Sequence, residues 1–130
     1  MSSDKSNVHF SSIAPSFLVA DISATLLWYK QLGFGTYPFP DREPYVFAII
    51  RKDTIEIMLQ RMNDYEKPDL YQRRAGGVWD AYFRLEGLRE FYESIKDRVT
   101  LVQPLRRQPY GAWEFEVKDP NGYVLVFSEG

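Results

Sequence analysis

Apolar positions along the chain change spacing several times, and each change marks an element. Phe17, Leu18 and Val19 form a short apolar run that predicts a strand. Ile22, Leu26, Tyr29 and Leu32 then recur three or four residues apart, the period of one helix face. Asp21 stands where a side-chain oxygen caps such a helix, and Gly33 where one stops. The segment 34–39 is extended and ends at Pro40. Tyr45 to Ile50 and Thr54 to Gln60 read as two strands joined by a tight turn at Arg51, Lys52 and Asp53. The pattern returns further on. Val78 to Leu85 predicts a strand, and Leu88, Phe91, Tyr92 and Ile95 a helix. Val99 to Pro104 is extended. Residues 112–129 give two strands around Asp119-Pro120-Asn121-Gly122, where proline presets φ at the second turn position and Asn-Gly tolerates positive φ.

Each half thus reads strand, helix, strand, strand, strand. An offset of 63 residues brings Trp28-Tyr29 onto Phe91-Tyr92 and Leu32 onto Ile95, a weak internal echo of duplication. The expected architecture is α+β, with two βαβββ modules that each curl a mixed sheet over one helix. Neither half alone buries both its helix and its sheet well. The expected organisation is a flexible arm over 1–12 and a single domain over 13–130. Module one spans about 13–60, a polar connection 61–77, and module two about 78–130. Pro68, Gly76 and Gly77 punctuate the connection, and a helical turn is expected around Asp69 to Arg73. Its length and glycines suit a lid.

Strand alternation sorts the side chains by face. Ile55, Ile57 and Leu59 oppose Glu56, Met58 and Gln60. Trp79, Ala81, Phe83 and Leu85 form an apolar set suited to the second helix, against Asp80, Tyr82 and Arg84. Tyr123, Leu125 and Phe127 oppose Val124, Val126 and Ser128. The polar or mixed sets are the candidates for a functional face. On 112–118 the assignment stays open; one reading packs Trp113 and Phe115 inside and turns Glu114 and Glu116 toward solvent.

Composition narrows the possible chemistry. The 130 residues are 45% hydrophobic and 16% aromatic, enough for one core and a lined cavity. No run approaches the roughly 18–20 apolar residues that a membrane helix needs. The polar first seven residues do not read as a signal peptide. There is no cysteine, hence neither a disulfide framework nor thiolate chemistry, and the expected compartment is the cytoplasm. A net charge of −2 without a basic patch argues against nucleic acid as a partner and suits a cationic ligand. His9, the single histidine, falls in the polar arm and reads as a surface residue.

Two segments together carry a resemblance. Residues 15–34 run from a strand through Val19 and Asp21 to a helix with Trp28-Tyr29 and then Leu32-Gly33-Phe34. The chain closes on Asp119-Pro120-Asn121-Gly122-Tyr123. These motifs resemble the vicinal oxygen chelate superfamily, which includes glyoxalase I, extradiol dioxygenases, and fosfomycin and bleomycin resistance proteins. The resemblance covers about residues 13–129. It implies paired modules that form an open, cup-shaped sheet with the site inside and the helices outside.

Enzymes of that superfamily hold a divalent metal on three or four His, Glu or Gln side chains, one from each of four strands. Carried onto this chain, those positions fall on Ala14, Glu56, Asp80 and Val126. Two of the four have no donor atom, and two carboxylates make a poor cage for zinc, nickel or iron. The resemblance is therefore nearest the bleomycin-resistance-like branch. It implies a metal-free dimer, with no cofactor, that sequesters aromatic or cationic molecules, bleomycin-type antibiotics among them. The segment from Arg84 to Leu88, followed by Glu90-Phe91-Tyr92, also resembles the second-module opening of those proteins. The candidate ligand-binding residues are Phe47, Glu56, Met58, Gln60, Trp79, Asp80, Tyr82, Arg84, Tyr110 and Trp113. Stacking surfaces and carboxylates among them suit a flat cation. Two alternatives stand beside this reading. One is a metal-dependent lyase, isomerase or dioxygenase that uses Glu56 and Asp80, for which a carboxylate pair offers acid/base work. The other is a ligand-sensing accessory module.

Overall fold

The computed structural model describes residues 7–130; the first six residues of the expected arm lie outside the described residues. The rest of the arm, 7–12, is exposed and free of helix or strand, and His9 is exposed with it. Two βαβββ units follow. The first comprises β1 (Ser16–Val19), α1 (Ile22–Gln31), β2 (Gly35–Phe39), β3 (Phe47–Lys52) and β4 (Ile55–Arg61). The second comprises β5 (Ala81–Arg84), α2 (Leu88–Ile95), β6 (Thr100–Arg107), β7 (Trp113–Lys118) and β8 (Val124–Glu129). Both sheets are mixed, four-stranded and alike in order, β1-β4-β3-β2 and β5-β8-β7-β6. In each, the first strand runs parallel to the last and the other pairings are antiparallel.

The helices sit where their apolar stripes require. Asp21 accepts a hydrogen bond from the Ala24 amide at 3.0 Å, so α1 begins as expected. Ile22, Leu26 and Tyr29 are buried against Phe17, Val19, Phe34, Ile50, Ile57 and Leu59. In the second unit Leu88 and Ile95 are buried, and the rings of Phe91 and Tyr92 lie against Phe115. No serine or aspartate caps α2. Glu129, near the chain end, accepts instead from the amides of Gly87 and Leu88, at 3.3 and 3.0 Å.

The turn that closes the second unit ties the two units together. One oxygen of buried Asp119 accepts from the amides of Asn121 and Tyr123, at 2.8 and 2.9 Å. Its other oxygen accepts from the Tyr29 hydroxyl of α1 at 2.7 Å. Asn121 donates to Thr25, and Tyr123 donates to the Leu18 carbonyl while its ring stacks on Phe17 at 4.0 Å. In this turn only Gly122 takes positive φ, at 93°. Between β3 and β4 the reversal falls on Asp53 and Thr54, two residues later than the expected start of the turn, and Asp53 adopts φ 53°. The helical turn expected near Asp69 is a single 3-10 turn over Leu70–Gln72, with Asp69 accepting from the Tyr71 amide at 3.0 Å.

Candidate functional site

Each sheet has one face under its helix and one face turned away. Register fixes which residues share the second face. In the first sheet one row runs Leu18, Gln60, Phe47, Phe39, and the next Ser16, Met58, Ile49, Tyr37. Glu56 and Arg51 follow, joined at 2.9 Å. The predicted set of Phe47, Glu56, Met58 and Gln60 is thus gathered on one face. That face is largely apolar and open: Leu18, Tyr37 and Phe39 are 38%, 53% and 62% exposed.

The matching rows of the second sheet differ in chemistry. One runs Tyr82, Val126, Glu116, Gln103, and the other Arg84, Ser128, Glu114, Arg106. Glu114 and Glu116 are buried, at 2% and 7% exposure. The assignment of this strand, open from the sequence, is settled by the structure against turning them to solvent. β7 is an interior strand of its sheet, and β8 fixes its register, so Trp113 and Phe115 take the helix side and the two acids take the other. Tyrosines cover them. Tyr82 and Tyr110 both donate to Glu114, the latter at 2.5 Å. Tyr71, from the connection between units, donates to Glu116 at 2.6 Å. Trp79 donates its indole N–H to the same side chain at 3.3 Å. The Gln103 amide lies 3.1 Å from Glu116, oriented to donate to it and to accept from Arg106.

Among the described residues no lysine or arginine pairs with either acid. Burying two carboxylates without a cation is costly, and hydrogen bonds from neutral donors offset that cost. The effect reaches the donors. Burial, then the bond to Glu116, pushes the Tyr71 hydroxyl well above the ordinary phenol range. Tyr110 and Tyr82 are raised in the same way, by burial first and Glu114 next. All three therefore remain protonated donors at neutral pH.

The other predicted residues divide. Trp79 precedes β5 and does not follow that strand's alternation. It leaves the apolar set of Ala81 and Phe83 and lies against the Tyr82 ring, with 5.3 Å between centroids. Arg84 is exposed, 5.1 Å over that ring. Trp113 sits on the opposite face of the sheet, under Arg89 at 5.6 Å, and does not join the cluster. Asp80 accepts from the Val124 amide at 2.8 Å and pairs with Lys67 at 3.2 Å. Glu56 and Asp80 both line an open cleft of about 1040 Å³ between the β3–β4 hairpin and β5, with Tyr82, Arg84, Phe91 and Phe127. Each acid, however, has a cationic partner of its own.

The donor set for a metal does not fit. Ala14 and Val126 offer no ligand atom, Glu56 is held by Arg51, and Asp80 by Lys67. No group of three or more His, Cys, Asp or Glu among the described residues is arranged to hold an ion. Nor is any helix there long and apolar enough to cross a membrane.

No family model matches the sequence. No curated protein matches it either. Solved structures do. The chain is similar to a bleomycin resistance determinant encoded on the transposon Tn5, at 19% identity and a TM-score of 0.70, over 93% of this chain and 98% of that one. It is similar to the bleomycin-binding protein of the bleomycin-producing Streptomyces verticillus, solved with copper(II)-bleomycin (23% identity, TM-score 0.67, 95% and 98% covered). A glyoxalase-related enzyme from Clostridium phytofermentans superposes with a TM-score of 0.75 at 14% identity, over 95% and 98% of the two chains. With two βαβββ units in the same order and near-complete coverage on both sides, the chain has the fold shared by bleomycin resistance proteins and glyoxalase-related enzymes, as its motifs implied.

Proposed function

We propose that the chain is a metal-free small-molecule binding protein that sequesters an aromatic, cationic ligand on the acid-and-aromatic face of its second sheet. The observation that carries this reading is the pair Glu114 and Glu116, buried beneath Tyr71, Trp79, Tyr82 and Tyr110 without a cation. A positive ligand group gains Coulomb energy there that water would screen, and the rings of Trp79, Tyr82 and Tyr110 give its flat part a stacking surface. Phe47, Met58 and Gln60 on the first sheet present an apolar wall. We assign that wall to the other side of a groove between two copies of the chain. Neighbours solved with bleomycin support a small-molecule role. The cysteine-free composition suits action in the cytoplasm.

The test is thermal unfolding of dialysed protein with metal-free bleomycin, and separately with zinc or nickel ions. A ligand that binds only the folded state stabilises it, by about 2.7 kcal/mol at a hundredfold excess over Kd, and so raises the melting temperature. The expected result is a saturable rise with bleomycin, weakened at least tenfold by Glu114→Gln with Glu116→Gln, and no rise with metal. A rise with metal alone would sink the reading and restore a metal-dependent lyase on Glu56 and Asp80.

A further inference from the structure

The connection between the units is fastened to the second sheet at two points of unlike strength. At Lys67 the fastening is deep. Its side chain is only 9% exposed, pairs with Asp80 at 3.2 Å and lies 5.5 Å over the Tyr123 ring. At Tyr71 it is a single phenol bond to Glu116, with Lys118 5.8 Å from the ring. Beyond it the chain is loose. Residues 72–77 are all exposed, nothing lies within 4 Å of a Cβ built on Gly76, and Gly77 takes φ +70°. A gap of about 30 Å³ remains under the strap, between Pro68, Leu70 and Tyr71 above and Val78, Lys118 and Val124 below.

We infer that residues 68–77 are a lid that hinges between the Lys67 anchor and Gly76-Gly77, with Tyr71 as its latch on Glu116. Opening removes one donor and uncovers Glu116 beside the Trp79 indole. Resting on the ligand reading above, a cationic ligand group then takes the place of the Tyr71 hydroxyl. Tyr71 is thus a competitor that keeps the acid satisfied while the site is empty. An isolated buried acid without such a partner would destabilise the fold. Local opening of this kind proceeds without global unfolding.

Amide hydrogen exchange on the intact chain, followed by fragment mass, tests the lid without any ligand. The expected result is exchange over 68–77 far faster than in β7. Tyr71→Phe should speed it about tenfold and leave 62–67, on the Lys67 anchor, unchanged. Exchange of 68–77 only at the rate of the β7 core would overturn the lid, as would an unchanged rate in Tyr71→Phe. Metal-free bleomycin provides the second arm. Tyr71→Phe should bind it about tenfold more tightly, because the competing donor is gone. Weaker binding would show that Tyr71 is a ligand contact and overturn the latch. If bleomycin binds neither protein, the ligand reading falls while the exchange result still decides the lid.

Discussion

Three buried acids, Asp119, Glu114 and Glu116, set the character of this molecule, and they act in two ways. Asp119 is satisfied by its own turn and by Tyr29. Burial raises its carboxyl above the ordinary 3.8, while the bond from Tyr29 pulls in the other direction. Tyr29 therefore stabilises the charged form of Asp119. Its contribution is present above the folded-state pKa and is lost as pH falls through it. Tyr29→Phe should cost about 1.5–3 kcal/mol near neutral pH, the range for a hydrogen bond to a charged group. The cost should shrink on acidification, as measured by urea unfolding at several pH values. A pH-independent cost would mean that the phenol matters only for packing. Glu114 and Glu116, by contrast, are satisfied by groups from the connection, from before β5 and from the loop before β7. Apart from Tyr110, those donors, Tyr82 of β5 included, are remote in sequence, so alternation in Trp113-Glu114-Phe115-Glu116 reads as an ordinary half-exposed strand. A usable signal was present nonetheless. Counting the hairpin register back from the closing pair Asp119 and Tyr123 sets Glu116 against Val126 and Glu114 against Ser128. Those two had already been assigned to the functional face.

At the level of elements, spacing was a good guide wherever one face of an element meets the core. Both helices and the paired β3–β4 and β7–β8 strands follow the hydrophobic period. Ends depend on groups that periodicity does not report. β6 continues through Pro104 to Arg107, because as an edge strand it tolerates proline and two shifts of register. Trp79 leaves its expected face because it lies before β5 begins. The start of α2 is the clearest case. Its cap is Glu129, 41 residues beyond Leu88. A carboxylate at that position satisfies two free amides and meets the positive end of the helix dipole. Glu129→Ala should therefore cost about 1 kcal/mol and lower the melting temperature by about 4 °C. Helical circular dichroism at low temperature should be retained. A fall of less than about 1 °C would show that α2 is held by Leu88 and Ile95 alone.

Across the whole molecule, the two sheets repeat one topology with unlike surfaces. Where the second sheet carries Glu116 and Glu114 on β7, the first carries Ile49 and Phe47 on β3. The first sheet's row of Leu18, Phe47 and Phe39 beside Met58, Ile49 and Tyr37 is a contiguous apolar surface interrupted mainly by Gln60 and Ser16. Soluble monomers rarely expose such a surface without a use for it, and a two-fold related copy is the simplest cover. In the two-fold arrangement proposed above, the apolar face of one copy would lie opposite the acidic face of the other, twice, with a groove at each place. Sedimentation should give twice the mass of the chain at micromolar concentration. Phe39→Glu places a charge at the β2 edge of that apolar face, opposes its burial against a second copy, and should yield a monomer with an unchanged far-ultraviolet spectrum. If each proposed groove needs both copies, bleomycin binding falls with the dimer. A wild-type chain that sediments as a monomer would remove the shared groove and leave Glu114, Glu116 and their aromatic cover as a site within one chain.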